Sequence, residues 1–243
     1  KTRENILINL DQIIDKKNIS VYKKYLQRRS NNEPIAYILE EKEFWSKKFF
    51  VNKDTLVPRP ETELLVDELI KIHKKKNISI LDIGTGSGCI ILSLLSELEN
   101  SIGLGVDIST KAIKVAQKNA FNMKLLNRVK FINKSIELIF HKKFDLIVSN
   151  PPYIKRKDIK YLSCDIKRFE PKIALDGGKD GLDLIKKVIY KSKYILKSNG
   201  ILALEIGNGQ YRSVMRLLKG SKFREKEVIK DYRNNIRCIF STL

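Results

Sequence analysis

The segment "LDIGTGSGC" occupies residues 81–89 and joins an apolar strand pattern to a helical pattern. Its glycines, Gly84, Gly86 and Gly88, permit positive φ angles and let a ligand approach the backbone closely. Asp107 ends the next strand pattern, roughly 20 residues after the glycines, a spacing at which a carboxylate accepts hydrogen bonds from ribose hydroxyls in nucleotide-binding βαβ units. These features predict an α/β fold with a nucleotide-type ligand.

The spacing of the glycines narrows the kind of ligand. Gly-x-Gly-x-Gly differs from the Gly-x-Gly-x-x-Gly of dinucleotide-binding proteins, and no Gly-Lys-Ser or Gly-Lys-Thr follows, which excludes a P-loop. Asp82 lies two residues before Gly84, where its charge disfavours a pyrophosphate and suits a cationic ligand such as a sulfonium amino acid. The segment therefore favours S-adenosylmethionine over NAD or ATP. A structural turn is the alternative for a glycine-rich loop taken alone.

From residue 78 onward the chain alternates between strand and helix patterns with short connections. Strands are predicted over 78–84, 101–107, 128–133, 143–150 and 200–207, helices over 88–99, 109–123, 181–197 and 209–219, and a closing pair of strands over 223–230 and 235–241. Such alternation predicts a mostly parallel sheet with helices on both faces.

The segment before this alternation has a different pattern. Residues 1–40 place apolar side chains at helical spacing, and Ser20 is predicted to cap the second of two helices. Strand-forming residues on either side of a Ser-Lys-Lys break predict a hairpin within 43–56. Pro60 is predicted to open a helix over 61–75, because proline fits the first helical turn.

Composition limits the classes of function. The chain has 243 residues, of which 42% are hydrophobic, and it lacks the long apolar run that a membrane-spanning helix needs. Its three cysteines are odd in number and widely separated, which favours free thiols in a reducing compartment, here the cytoplasm. The two histidines both lie away from the cysteines in sequence, so we predict no metal site.

The formal net charge of +20 allows two interpretations. A basic chain attracts acidic partners, including nucleic acids. The lysines are spread through nearly every segment rather than clustered, so a bias of composition explains the charge equally well. In either case we expect a preference for acidic partners.

A second motif ends a buried strand pattern in "DLIVSNPPY", residues 145–153. In a doubly wound sheet this strand and the glycine strand are expected to be neighbours at the ligand-binding edge. Pro151 and Pro152 have no N–H group, so their carbonyls and the side-chain carbonyl of Asn150 form a group of acceptors. With the flat ring of Tyr153, these acceptors suit a planar group bearing NH2, its nitrogen held toward an electrophilic methyl group. A plain turn is the alternative.

The end of this strand, "SNPPY", resembles the class I methyltransferases that modify planar nitrogens, the N6-adenine and glutamine-N5 enzymes. Two longer segments are similar to the HemK (PrmC) family: "EFWSKKFFVNKDTLVPRPETELLVDELI" (43–70) and "FEPKIALDGGKDGLDLI" (169–185). The resemblance covers essentially the whole chain. It implies a class I Rossmann-like α/β fold, a mostly parallel seven-stranded sheet with an antiparallel strand, preceded by part of an N-terminal helical domain and a β-hairpin.

The resemblance also implies an activity and a partner. The HemK family methylates the glutamine of the Gly-Gly-Gln motif in peptide chain release factors, with S-adenosylmethionine as the methyl donor. A monomer with a release factor as its partner, and with no stable nucleic-acid or membrane partner, is therefore expected. The expected domains are a helical release-factor-recognition domain (1–40), a β-hairpin linker (41–57) and a methyltransferase domain (58–243). Because "TRENILINLDQ" is similar to the late part of the family's helical domain, the chain is expected to begin inside it.

Carried over residue by residue, the resemblance implies two sets of contacts. The cofactor is expected to contact Asp82, Gly84, Thr85, Gly86, Ser87, Gly88, Asp107, Ile108, Ser135, Ile136 and Asn150. The substrate glutamine is expected to contact Pro60, Glu61, Thr62, Asn150, Pro151, Pro152 and Tyr153. Of these residues, Asn150, Pro151 and Tyr153 are predicted to be catalytic. The chain departs from the family at Ser135-Ile136, where an Asp-aromatic pair often faces the adenine, which leaves Ile136 to pack on the ring.

Two other functions remain as alternatives. An N6-adenine methyltransferase acting on DNA or RNA would share the Asn-Pro-Pro-Tyr motif and would use the basic charge. The length of the chain leaves little room for a separate target-recognition domain, which counts against that function. A non-enzymatic protein that only binds the cofactor would not need Asn150.

Overall fold

The computed structural model describes residues 3–9, 13–139 and 143–243. The helices are α1 (Arg3–Ile8), α2 (Lys16–Ser30), α3 (Ile35–Leu39), α4 (Glu63–His73), α5 (Cys89–Glu97), α6 (Thr110–Asn122), α7 (Cys164–Phe169), α8 (Asp183–Ile195) and α9 (Tyr211–Gly220). The strands are β1 (Glu41–Phe44), β2 (Lys47–Phe50), β3 (Ser79–Ile83), β4 (Ile102–Asp107), β5 (Val129–Asn133), β6 (Phe144–Ser149), β7 (Leu196–Glu205), β8 (Arg224–Lys230) and β9 (Ile236–Thr242). Short 3-10 helices cover Pro60–Thr62, Ile136–Leu138, Arg156–Tyr161 and Lys172–Ala174.

Seven strands form one sheet in the order β5-β4-β3-β6-β7-β9-β8, with β9 antiparallel to both of its neighbours and the other pairs parallel. This arrangement confirms the predicted mostly parallel seven-stranded sheet with an antiparallel strand. The strand order reverses between β3 and β6, which pair in parallel with Ile83 opposite Ser149. The residues that follow them, Gly84 and Asn150, therefore emerge side by side at the edge where doubly wound sheets bind ligands.

Helices cover both faces of the sheet, so its central strands are buried on both sides. In β3 and β6 the side chains of Ile80, Leu81, Leu146 and Ile147 have no exposed surface. One hydrophobic cluster joins the sheet to α4, α5 and the hairpin, and a second joins it to α8 and α9. The two clusters hold the central strands, and so the cavity at their carboxyl ends, in a fixed position.

The predicted hairpin is present as β1 and β2, which pair from Glu41 opposite Phe50 to Phe44 opposite Lys47. Its turn is Trp45-Ser46, both at φ 52°, and not the Ser-Lys-Lys break that the sequence suggested. The side chain of Asn119 on α6 ties the hairpin to the glycine loop. Its Oδ1 accepts the N–H of Phe50 at 2.7 Å, and its Nδ2 donates to the carbonyls of Phe50 at 3.0 Å and Ser87 at 2.8 Å.

The helical prediction for 1–40 falls partly on residues 1, 2 and 10–12, which lie outside the described residues. The predicted cap at Ser20 is wrong, because α2 begins earlier and is capped by Asp15, whose Oδ1 accepts the N–H of Asn18 at 2.8 Å. Ser20 lies inside this helix.

The described residues contain neither a membrane-spanning helix nor a group of metal-binding side chains. No helix within 3–9, 13–139 or 143–243 is both long and apolar enough to cross a bilayer. Over the same ranges, no three side chains of histidine, cysteine, aspartate or glutamate are grouped so that they could hold a metal ion.

Candidate active site

A cavity of about 310 Å³ opens at the carboxyl ends of β3, β4 and β6. The predicted site residues that line it are Thr62, Gly84, Thr85, Gly86, Ser87, Asp107, Ile108, Ser135, Ile136, Asn150 and Pro152. Six other predicted residues each adjoin a lining residue without lining the cavity: Pro60, Glu61, Asp82, Gly88, Pro151 and Tyr153. The folded chain thus gathers residues from five separated segments around one space.

The glycine loop has the backbone that its sequence predicts. Gly84 and Gly86 have φ angles of +71° and +55°, a region that side chains with a Cβ rarely adopt. Gly84 has no atom within 4 Å of the position that a Cβ would take, so this part of the loop borders open space. The N–H groups of Gly84 and Thr85 donate to the carbonyl of Val106 at 2.9 and 3.0 Å, which fixes the loop against β4.

Asp107 ends β4 and turns back toward the glycine loop. Its Oδ2 accepts the N–H of Gly86 at 3.0 Å, and its Oδ1 accepts the N–H of Ser109 at 2.8 Å. Burial raises the pKa of the Asp107 carboxyl, while these N–H groups oppose the shift. Since a carboxylate offers about four lone-pair sites, Asp107 still has acceptors for the hydroxyls of a ligand.

Asp82 does not reach the cavity, although the sequence predicted it as a cofactor contact. It is buried beneath the loop, where its Oδ2 accepts the hydroxyl of Thr85 at 2.7 Å. Burial raises the pKa of Asp82 to about 7. Thr85, which Asp82 holds, lines the cavity, whereas Asp82 itself does not.

The side of the cavity beyond Asp107 is partly apolar. Ile136 is buried in this wall, and Ile108 is more than half exposed beside it. The hydroxyl of Ser135 donates to the carboxylate of Glu137, which also pairs with Lys187 of α8 at 2.7 Å. The Ser135-Ile136 pair therefore offers an apolar surface from Ile136 and a hydroxyl that is already bound.

The front wall of the cavity was not predicted as a set of contacts. It contains Leu56, Pro58, Arg59, Pro171 and Ile173. Arg59 Nη2 donates to Glu170 Oε1 at 2.6 Å, and Glu170 Oε2 accepts the N–H of Val57 at 3.3 Å, which holds the two segments together. The two long segments that carry the family resemblance, 43–70 and 169–185, contain all five of these residues and could have indicated this wall from the sequence.

Asn150 stands at the end of a chain of polar side chains that leads out of the cavity. Its Nδ2 donates to Thr62 Oγ1 at 3.2 Å. The hydroxyl of Thr62 donates to Glu205 Oε2 at 2.7 Å, and the hydroxyl of Tyr153 donates to Glu205 Oε1 at 3.4 Å. With its Nδ2 bound by Thr62, Asn150 keeps its Oδ1 as a free acceptor at the cavity wall.

The segment "LDGGKDG", 175–181, packs against the Pro-Pro-Tyr backbone. The N–H of Gly177 donates to the carbonyl of Ile154 at 2.8 Å, and Ile154 donates to the carbonyl of Leu175 at 3.1 Å. A Cβ on Gly181 would lie 2.5 Å from the carbonyl oxygen of Tyr153, so only glycine permits this approach. Loop 175–181 therefore fixes the segment that follows Asn150.

Glu205 gives a pH-dependent contribution to stability. Burial raises its pKa from 4.5 to about 7. Because the folded state holds this proton more tightly, the stabilisation is complete below the unfolded pKa and is lost as the pH rises through about 7. We expect wild type to lose roughly 2–3 kcal/mol of unfolding free energy from this group between about pH 4.5 and pH 8.

The variant Glu205→Met removes the titrating group and isolates this contribution. Chemical denaturation of both proteins at acidic and basic pH measures it. The unfolding free energy of the variant, relative to wild type, should rise with pH. A difference that does not change with pH would contradict the burial and the raised pKa of Glu205.

Comparisons with known proteins agree with this geometry. A family model described as a methyltransferase domain matches residues 74–233, and one described as the PrmC N-terminal domain matches residues 1–39. A release factor glutamine methyltransferase of Buchnera aphidicola subsp. Acyrthosiphon pisum is 41% identical, over 98% of this chain and 85% of its own length. The chain belongs to the release factor glutamine methyltransferase family. The family resemblance inferred from the sequence is thereby confirmed.

Other relatives in these comparisons are longer or more distant. A bifunctional methyltransferase of Rickettsia conorii is 36% identical over 98% of this chain, but the chain spans only 51% of that protein's length. Among solved structures, the ribosomal protein L11 methylase of Lactobacillus delbrueckii subsp. bulgaricus matches with a TM-score of 0.57 and 18% identity. The match covers 76% of this chain and 79% of that one. At this identity the likeness supports the class I methyltransferase fold alone.

Proposed function

We propose that this member of the release factor glutamine methyltransferase family transfers a methyl group from S-adenosylmethionine to a protein glutamine. The acceptor is the side-chain amide nitrogen of the glutamine in the Gly-Gly-Gln motif of peptide chain release factors. The observation that carries the proposal is the free Oδ1 of Asn150 at the cavity wall, beside the glycine loop. An acceptor held there suits the N–H of an amide. Methyl transfer to an amide held in this way does not require a general base to activate the nitrogen beforehand.

The residues around the glycine loop fit S-adenosylmethionine. Gly84 and Gly86 leave the backbone open to close approach, and Asp107 has unused acceptor sites for ribose hydroxyls. The apolar side chain of Ile136 suits one face of an adenine ring. When bound, the cofactor supplies an electrophilic methyl group. Thr85 and Ser87 also line the cavity, and we assign them to the methionine part of the cofactor.

The catalytic step requires orientation more than proton transfer. An amide nitrogen is a weak nucleophile because its lone pair is delocalised. Asn150 Oδ1 accepts one N–H of the glutamine, and we assign the second acceptor to the carbonyl of Pro151. With the cofactor bound, these acceptors would hold the nitrogen toward the methyl group and stabilise the positive charge that develops on it. The carbon–sulfur bond of the donor would break as the nitrogen–carbon bond forms, and the nitrogen would lose one proton to water. Tyr153 keeps the segment in place through Glu205.

The proposal also assigns a role to each part of the chain and a partner to the enzyme. We assign release-factor recognition to 1–40, a linker role to the hairpin region 41–57, and catalysis to 58–243. The enzyme is proposed to be a cytoplasmic monomer. A chain with a net charge of +20 should bind an acidic surface of its partner, and the affinity should fall with salt.

The experiment that tests the function offers two substrates side by side. A folded release factor and a DNA or RNA duplex are incubated separately with the enzyme and methyl-labelled S-adenosylmethionine. We expect label in the release factor, much less in a short Gly-Gly-Gln peptide, and background in the nucleic acid. A labelled nucleic acid with an unlabelled release factor would favour the N6-adenine alternative, which the Asn-Pro-Pro-Tyr motif and the basic charge otherwise allow.

A further inference from the structure

Glu205 is a buried carboxylate that is not among the site residues predicted from the sequence. It ends β7 and has 2% of its surface exposed. Its neighbours in the polar chain are Thr62 and Tyr153, and through Thr62 it reaches Asn150. Burying a carboxylate is costly, so a carboxylate kept at this position needs a reason beyond packing.

The reason lies in the direction of the hydrogen bonds. An ionised carboxylate can only accept, so the single proton of the Thr62 hydroxyl must point to Glu205. Thr62 Oγ1 is then left as an acceptor, and it can bind only the NH2 end of the Asn150 amide. The amide oxygen of Asn150 consequently faces the cavity.

We propose that Glu205 is a positioning residue that sets the orientation of the Asn150 amide through Thr62. If the cavity side of Asn150 were NH2, it would oppose the NH2 of a glutamine amide, donor against donor. With Oδ1 on that side, it accepts the N–H of the substrate. The inference rests on the proposed function for the identity of the substrate, but the orientation itself is a property of the enzyme alone.

Removing the carboxylate of Glu205 should reverse the direction of the hydrogen bond between Thr62 and Asn150. In Glu205→Met, the Thr62 hydroxyl loses its acceptor and turns to donate to Asn150 Oδ1. The amide then rotates so that its NH2 faces the cavity. Methionine fills a similar space and adapts to its surroundings, and replacing a buried charge by an apolar side chain is often neutral or stabilising.

Several charged or titratable groups influence Glu205 and set the conditions of the test: Glu61, Arg237, Tyr153, Cys89 and Cys238. Arg237 favours the ionised form, whereas Glu61 and burial disfavour it. The measurements are therefore made near pH 8, above the raised pKa of Glu205, which is about 7.

Three measurements on Glu205→Met test the inference. We expect kcat for release-factor methylation to fall about tenfold or more, with the affinity for S-adenosylmethionine unchanged and the unfolding midpoint equal or higher. In protein labelled with ¹⁵N-asparagine, the side-chain NH2 of Asn150 should exchange with solvent faster than in wild type. Its resonance is assigned by its loss in Asn150→Ala. This exchange measurement needs no release factor.

A double-mutant cycle and a matched control complete the test. In the Thr62→Val background the hydroxyl is absent, so adding Glu205→Met should lower kcat no further. The control is Asp145→Asn, because Asp145 Oδ2 accepts the hydroxyl of Ser79 at 2.7 Å at the opposite edge of the sheet. This variant should keep wild-type kcat and wild-type exchange at Asn150.

Each outcome decides between the claims. The role of Glu205 would be overturned if Glu205→Met kept the wild-type kcat or the wild-type exchange rate of the Asn150 NH2. It would also be overturned if Glu205→Met lowered kcat further in the Thr62→Val background. A wild-type enzyme that leaves the release factor unmethylated would overturn the proposed function, while the exchange rates still decide the orientation. If Glu205→Met does not fold, Glu205→Gln keeps the shape and takes its place. Because the amide introduced by that substitution can still accept from Thr62, a smaller shift in the same direction is expected, and no shift would contradict the role.

Discussion

Asn150→Ala is expected to lower kcat by roughly two orders of magnitude or more, by analogy with the loss of one preorganised polar contact. The variant removes the acceptor at the cavity wall while leaving the glycine loop and Asp107 in place. Affinity for S-adenosylmethionine should therefore change little. Steady-state kinetics with release factor, combined with calorimetry of cofactor binding, separates the two quantities.

The control for this variant is Asn235→Ala. Asn235 is also an asparagine near the carboxyl edge of the sheet, but its side chain binds Asp231 in the turn before β9, outside the cavity wall. Its removal should leave kcat unchanged. If Asn150→Ala kept its turnover while cofactor binding collapsed, the proposed division between substrate contacts and cofactor contacts would be wrong.

Asp107→Ala is expected to weaken cofactor binding by about 1.5–3 kcal/mol, the usual size of a hydrogen bond to a charged group. Two effects act in the same direction. The ribose hydroxyls lose their acceptors, and the N–H of Gly86 loses the carboxylate that holds the loop at 3.0 Å. Calorimetric titration of wild type and variant with S-adenosylmethionine gives the difference directly.

Two further variants identify the cause of a weaker affinity. Asp107→Asn keeps the shape and one acceptor oxygen, so it should bind the cofactor with an intermediate affinity. Asp67→Ala removes a half-exposed carboxylate on α4 that pairs only at the surface with Lys71, and it should bind the cofactor as wild type does. Equal affinities for wild type and Asp107→Ala would remove Asp107 from the cofactor site.

Most of the fold could be predicted from local sequence patterns. The alternation of strand and helix predicted the parallel sheet, because each apolar run is short and is bounded by turn residues. The rule that ligands bind where strand order reverses predicted that Gly84 and Asn150 would be neighbours, and the β3–β6 pairing confirms this. The position of the hairpin turn was less predictable, since Trp45 and Ser46 rarely adopt the positive φ they have here.

Contacts between distant segments could not be predicted. Thr62 and Glu205 lie 143 residues apart, and no local pattern links a residue of a 3-10 helix to the end of β7. Glu205 is consequently absent from the site residues that the sequence predicted. Asp82 was assigned to the cofactor because it lies just before the glycines, but residues of a strand alternate between the two faces, and its side chain is buried beneath the loop.

Mass spectrometry of the release factor tests the central claim most directly. The release factor is incubated with the enzyme and S-adenosylmethionine, digested, and its Gly-Gly-Gln peptide is sequenced by fragmentation. We predict the mass gain of one methyl group, confined to the side chain of that glutamine, absent with Asn150→Ala and absent when the glutamine is replaced by alanine. A release factor of unchanged mass, with methyl groups found on adenine in DNA or RNA under the same conditions, would contradict the account.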